Sequence, residues 1–182
     1  MVKKWRLLTS KVAYENPFLT VYNESLQRSD GKVIADYYAV KRRDAAFVAA
    51  LTKDNQVLLV NQYKNGVKEV VWELPAGFIE EGEEPLAAAK RELLEETGYE
   101  SDNFDFIGKF APNPAISPNR NFVFLAKDAT KVAEQKLDVN EEIEVQTFDL
   151  GSLVQDIKTG KSLFIDCQSQ LSLLLIVEIL KK

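Results

Sequence analysis

Residues 77–99 read GFIEEGEEPLAAAKRELLEETGY. Pro85 suits the first turn of a helix, where its missing N–H would be unpaired anyway. Gly98 suits the left-handed residue that ends one. The stretch therefore predicts a helix from Pro85 to about Thr97, with Leu86, Ala89 and Leu93 as its core stripe. Its charges sit at the wrong end. Glu92 and Glu96 are four apart and share a face, and like charges at that spacing destabilise a helix by about 0.2–0.5 kcal/mol. With Glu95 they also oppose the negative pole of the helix dipole. A solvated acidic face, partly neutralised by Lys90 and Arg91, is one explanation. Metal binding is the other. Crowded carboxylates repel one another, a divalent cation reverses that penalty, and Mg²⁺ takes oxygen ligands from a few carboxylates plus substrate phosphates. Upstream, Glu80, Glu81, Glu83 and Glu84 form an acidic loop, and attraction to the helix N-terminus accounts for Glu84.

Outward from this helix the pattern is mostly β. Residues 16–40 predict a hairpin turning at Asp30-Gly31, and 45–64 a second one turning at Asp54-Asn55. Residues 70–77, VVWELPAG, predict a strand broken by Pro75 and ended by Gly77. Further strands are predicted at 104–110, 121–128 and 141–150, with the three-proline loop APNPAISPN (111–119) between the first two. A short helix follows Gly151. Residues 167–180, CQSQLSLLLIVEIL, predict a helix apolar nearly all round and so buried on most sides, in the core or against a second subunit. Strands and few helices in no regular alternation give an α+β, or mixed α/β, sandwich.

Composition narrows the chemistry. The 182 residues suit one domain with a small extension. A net charge of −5 and the lack of a basic tract argue against nucleic-acid binding. An anionic ligand would then need something other than the overall field to attract it, and a metal is the obvious candidate. The chain has no histidine, which removes histidine triads, histidine proton shuttles and histidine-ligated zinc. Cys167 is the single cysteine, so no intramolecular disulfide forms, and it reads as a packing residue. The N-terminus lacks an apolar run of signal-peptide length, and LLLIVEIL (173–180) is too short to span a bilayer. A soluble, cytoplasmic protein with no membrane partner is expected.

At this point a resemblance emerges. From Gly77 the sequence runs five residues to Glu83, seven more to Arg91-Glu92-Leu93, one to Glu95-Glu96, and one to Gly98 and a large apolar Tyr99. This resembles the Nudix family's signature at every fixed position, with Tyr99 a mild variant. ENPFLTVYNE, LLVNQYK, WELPAG and NEEIEV look like the branch that splits ADP-ribose and nucleoside diphosphate sugars, so the likeness covers most of the chain.

The resemblance implies a Nudix fold, an α/β/α sandwich with a mixed sheet. It implies an N-terminal antiparallel β-hairpin extension over 1–41, serving dimerisation, and a Nudix domain over 42–182. It implies hydrolysis of a diphosphate linkage with Mg²⁺, or Mn²⁺, and a nucleotide-sugar substrate. Glu92 and Glu96 would be the main ligands, the Ala76 carbonyl a third, and Glu95 a weaker or water-bridged one. Glu83 and Arg91 would pair and brace the loop, although Arg91 also stands i,i+4 from Glu95. The general base should lie outside the signature, at Glu141 or, second, Glu142. Arg43 and Lys64 are candidates for phosphate or sugar recognition, and Pro114 keeps the branch's loop proline. Phe18 could stack a base, as could Trp5, although packing is the better expectation for both. Two departures favour broader nucleoside diphosphate sugar use: Lys64 replaces the arginine common in QYR, losing its bidentate fork, and PNPAIS replaces PSPG. Related pyrophosphatases are homodimers, which together with the apolar N-terminal segment predicts a homodimer here. The alternatives are a nucleoside triphosphate pyrophosphatase of the same fold and a non-catalytic nucleotide-sugar-binding module. Such modules usually lose signature glutamates, and none is lost. An isoprenoid-diphosphate isomerase would need histidine.

Overall fold

The computed structural model describes residues 2–164 and 166–181. The described residues fall into two compact units, which are taken separately. One runs up to Asp44 and takes in Phe110–Arg120; the other comprises Ala45–Lys109 and the chain from Asn121 onward.

The first unit is a three-stranded antiparallel sheet, β1 (Arg6–Asn16), β2 (Leu19–Gln27) and β3 (Val33–Lys41), in that spatial order. The Asn16 side chain accepts the Phe18 and Leu19 N–H groups at 2.8 and 2.9 Å, closing the first turn. The second turn places Gly31 at φ 86°, a conformation costly for other residues. The expected hairpin over 16–40 is thus β2–β3, and β1 is a strand the sequence reading missed. Its side chains are exposed over almost all its length, so no buried face imposed an alternation on the sequence. In this unit Val40 N–H donates to the Ile116 carbonyl at 2.7 Å and the Tyr37 hydroxyl to the Ala115 carbonyl at 2.6 Å.

The second unit carries β4 (Ala45–Ala50), β5 (Gln56–Lys64), β6 (Glu69–Glu73), β7 (Ala76–Phe78), α1 (Pro85–Thr97), β8 (Tyr99–Glu100), β9 (Asn103–Phe110), β10 (Asn121–Lys127), β11 (Thr130–Lys131), β12 (Ile143–Asp149), α2 (Leu150–Thr159) and α3 (Cys167–Leu180). One sheet has the order β7-β4-β10-β9 and another β12-β5-β6, while β8 pairs with β11. β4 lies parallel to β10 and antiparallel to β7, so the architecture is mixed.

The expected 45–64 hairpin does not form. β4 and β5 enter different sheets, and among the described residues the chain bridges between them at Leu51–Val57, beside the turn. Ala46, Val48, Ala49 and Ala50 are completely buried, and a strand buried on both faces takes its partners from distant sequence.

Alternation along the central strands feeds two cores. Val48, Ala50, Leu58, Phe124 and Ala126 pack with Ala88, Ala89 and Leu93 of α1. Ala49, Leu51, Val57, Leu59 and Leu125 pack with Leu153 and Val154 of α2 and Leu173 and Ile176 of α3. The sheets are therefore sandwiched between α1 and the α2–α3 pair, the mixed α/β/α arrangement expected. The buried stripe of α1 is Ala88, Ala89, Leu93, Glu96 and Thr97, and Leu86 is exposed, contrary to the sequence reading. α3 also differs. Its inner face carries Gln168, Ser169 and Ser172 beside Leu173 and Ile176, while Leu171 and Leu180 are exposed. Ser169 has a specific use: its hydroxyl accepts the Leu74 N–H at 3.0 Å, where Pro75 interrupts the strand. No helix among the described residues is long and apolar enough to cross a membrane.

Candidate metal centre

The break between β6 and β7 brings the Ala76-Gly77 backbone under α1. Ala76 N–H donates to Glu96 Oε2 at 2.9 Å. At Gly77 an added Cβ would fall on the Glu92 carboxylate, so only glycine allows this approach. Glu92 and Glu96 of one helix face thus bracket the Ala76-Gly77 peptide.

Arg91 organises the loop in front. Its Nε donates to Glu83 Oε1 at 2.9 Å and its Nη2 to Glu83 Oε2 at 3.0 Å, a bidentate fork. Nη2 also reaches the Phe78 carbonyl at 3.0 Å, and Nη1 reaches Glu92 at 2.7 Å and Glu95 at 3.2 Å. The two sequence readings of Arg91 therefore hold together: it forks onto Glu83 and also touches Glu95. Glu83 takes the Glu80 N–H as well, at 2.9 Å. The Arg91 hydrogen bonds hold the Glu83 carboxyl below its ordinary range, and Glu83 in turn is the main cause raising the Arg91 guanidinium.

Glu92 and Glu96 are pushed the other way. Glu96 is 3% exposed, and burial drives its carboxyl well above the usual range. The Ala76 N–H opposes this, while Glu92, Glu73 and Glu141 add repulsion. Burial also raises Glu92, with Arg91 opposing and Glu95 and Glu141 adding to the rise. Glu141 stands in the loop before β12, its carboxylate accepting the Asp138 N–H at 2.9 Å. The exposed Glu142 follows it. That loop is tied to the end of α1. Gln135 Nε2 donates to the carbonyls of Glu96 at 2.6 Å and Ile143 at 3.1 Å, and Lys136 N–H to Glu95 O at 2.8 Å.

Glu73 was given no role by the sequence reading. It ends β6, is 9% exposed, and accepts from Gln62 Nε2 at 2.7 Å and from the Lys64 ammonium. Burial raises its carboxyl against the pull of Lys64. Its only sequence signal was its place in WELPAG, just outside the 23-residue signature. The remaining predicted residues lie in the other unit. Phe18 is 64% exposed in the β1–β2 turn, Arg43 follows β3, and Pro114 lines a cavity of about 400 Å³ with Tyr22, Tyr37, Lys41 and Arg120.

The donor set suits a hard divalent cation. It is all oxygen, and it holds a buried carboxylate, Glu96, on which Glu92, Glu73 and Glu141 all act as repelling charges. Among the described residues no three acidic or cysteine side chains converge as a ready cage, because Glu92 leans on Arg91 and Glu96 on Ala76. Such a centre would be completed by substrate oxygens and water, as Mg²⁺ commonly is.

Residues 41–166 match the model of the NUDIX domain. The chain belongs to the Nudix hydrolase family. Residues 5–40 match a second model, the nucleoside diphosphate sugar hydrolase N-terminal domain. This Nudix chain is 33% identical over 120 residues to the methanol dehydrogenase activator of Bacillus methanolicus, covering 65% of each protein. It is 30% identical over 146 residues to the ADP-ribose pyrophosphatase of Bacillus subtilis strain 168, covering 80% of this chain and 78% of that one. A crystal structure of an ADP compounds hydrolase superposes with a TM-score of 0.83 at 22% identity, over 100% of this chain and 96% of the other, and shares its fold.

Proposed function

We propose that this Nudix hydrolase cleaves the diphosphate linkage of nucleoside diphosphate sugars, ADP-ribose among them, with Mg²⁺. The products are a nucleoside monophosphate and a sugar phosphate. The observation that carries this reading is the glycine-permitted approach of Glu92 to Gly77 beside the buried Glu96, with Glu141 within electrostatic reach of both. The names of the Bacillus subtilis relative and of the N-terminal model support the substrate class.

Glu92, Glu96 and the Ala76 carbonyl would hold the cation, with Glu95 at its rim. Mg²⁺ or Mn²⁺ held there would supply charge neutralisation at the phosphoryl oxygens and a more acidic attacking water. Glu141 takes the proton of the attacking water, Glu142 being the second choice for that role. A new phosphorus–oxygen bond forms as the bridging one breaks. The Glu83–Arg91 fork keeps the loop and helix in register. Lys64 and Arg43 are assigned to phosphate or sugar recognition, and Phe18 and Pro114 to substrate binding. The protein acts as a homodimer in the cytoplasm. Leu7, Val12, Tyr14, Phe18, Val33 and Tyr38 of the N-terminal unit are all more than half exposed, the kind of surface that subunit contacts cover.

The test is a panel of nucleotide sugars, ADP-ribose and nucleoside triphosphates, assayed with Mg²⁺ and with products identified. Monophosphate plus sugar phosphate is expected. Monophosphate plus pyrophosphate from triphosphates, with the sugars untouched, would mean a triphosphate pyrophosphatase instead. Binding without turnover would mean a non-catalytic module.

A further inference from the structure

β5 lies between β12 and β6, with Ile143 opposite Gln62 and Val60 opposite Glu73. Residues directly opposite share a face, and so do alternate residues along a strand. Gln62, Lys64 and Glu73 therefore lie on the side of Leu58 and Val145, which pack against α1. This is the side that carries Glu92 and Glu96. Extending the β5–β12 register by two residues sets Lys64 level with Glu141.

On that face a single atom, Glu73 Oε1, accepts from both Gln62 and the Lys64 ammonium. Gln62 fixes the carboxylate, and the carboxylate fixes the lysine. The Glu73 side chain is 12% exposed and the Lys64 side chain 40%, so a largely buried anchor holds the tip of a side chain that is itself partly open to solvent. An ammonium has three donors, and this contact uses one. A carboxylate here also adds to the repulsion on Glu96, so its presence is not explained by the acidic centre alone.

We propose that Glu73 is a positioning residue: it pins the Lys64 ammonium on the catalytic face so that its other donors meet the diphosphate. Lysine is a point charge on a flexible stem. Holding it in place beforehand removes an ordering cost from binding. This rests on the diphosphate reading above.

The experiment is steady-state kinetics on ADP-ribose with Mg²⁺, using the full-length protein and the variants E73Q, E73D, K64M and E73Q/K64M. Melting curves and Mg²⁺ half-saturation are recorded for each. E73Q and K64M should each raise KM about tenfold with kcat changed by no more than about twofold, as expected for lost charge-assisted binding. The double variant should be no worse than either single one, because contacting residues are not additive. E73D, which keeps the charge but withdraws it by one methylene, should also raise KM, and it decides the matter if E73Q does not fold. Mg²⁺ half-saturation should change by no more than about twofold, because Glu73 acts on Glu96 only through space. An additive double variant, or unchanged KM in E73Q or E73D, overturns the proposal. A Mg²⁺ requirement raised as far as KM also overturns it, making Glu73 a metal ligand. A wild-type protein that splits no nucleotide sugar overturns the functional reading itself, and this proposal with it.

Discussion

Glu96→Gln separates the two things a buried carboxylate does here, because they move stability in opposite directions. Glutamine keeps the length of the side chain and an oxygen to accept the Ala76 N–H. It removes a charge that is 3% exposed and faces Glu92, Glu73 and Glu141. The Glu92–Glu96 repulsion alone is worth about 0.2–0.5 kcal/mol on an exposed helix. Burial enlarges it, so a gain of about 0.5–1 kcal/mol without metal is reasonable, or roughly 1–4 °C for a chain of this size. The pH dependence has a definite sign. The folded carboxyl is raised above its ordinary 4.5. The handicap of the wild type is therefore absent below the ordinary value and grows as pH rises through the folded one. The gain in Glu96→Gln should fade on acidification. Mg²⁺ should reverse the ranking: at about a hundred times its Kd a ligand adds roughly 2.7 kcal/mol to the wild type, and the variant should gain far less. Turnover should fall by orders of magnitude. Calorimetry from pH 4 to 9, with chelator and with Mg²⁺, is the assay. A variant less stable than wild type in chelator, or one with the full Mg²⁺ shift, would refute this account of Glu96.

Glu141→Gln should slow turnover by about 10²–10⁴, the usual cost of losing a general base, while the Mg²⁺-induced melting shift survives; if Glu142→Gln is crippled instead, the base sits one residue later. Gly77→Ala should fold but lose most activity, because the new methyl displaces the Glu92 carboxylate, and kinetics against Mg²⁺ concentration will show a raised requirement. Light scattering at micromolar concentration should give the mass of a dimer, as an interface above roughly 1,000 Å² would sustain; a monodisperse active monomer would rule out the assembly.

The features legible in the sequence were those encoded locally. α1 runs from Pro85 to Thr97 with Gly98 at φ 73°, because a proline and a glycine mark its two ends chemically. Partner choice was not local. Asp54-Asn55 does make a turn, with Asn55 at φ 57°, yet the strands it joins separate into different sheets. Nothing within residues 45–64 states that β4 will pair with β7 and β10. β1 was missed because its exposed side chains follow no alternation, and Glu73 because the pairing that matters, with Lys64 and Gln62, crosses strands.

The glutamates at the wrong end of α1 are explained by what surrounds that end. A helix C-terminus repels anions because its last carbonyls lack partners. Here the Leu93 carbonyl takes the Thr97 hydroxyl, Leu94 the Gly98 N–H, Glu95 the Lys136 N–H and Glu96 the Gln135 side chain. With those four carbonyls satisfied, the local field that would oppose Glu92, Glu95 and Glu96 is reduced. The last two of these contacts also anchor the segment leading to Glu141. The Gln135 and Lys136 hydrogen bonds thus help make a carboxylate-rich helix end tolerable and fix the approach of the proposed base. Residues 135–136 are accordingly where a substitution would disturb the proposed metal centre and the proposed base together, without touching either.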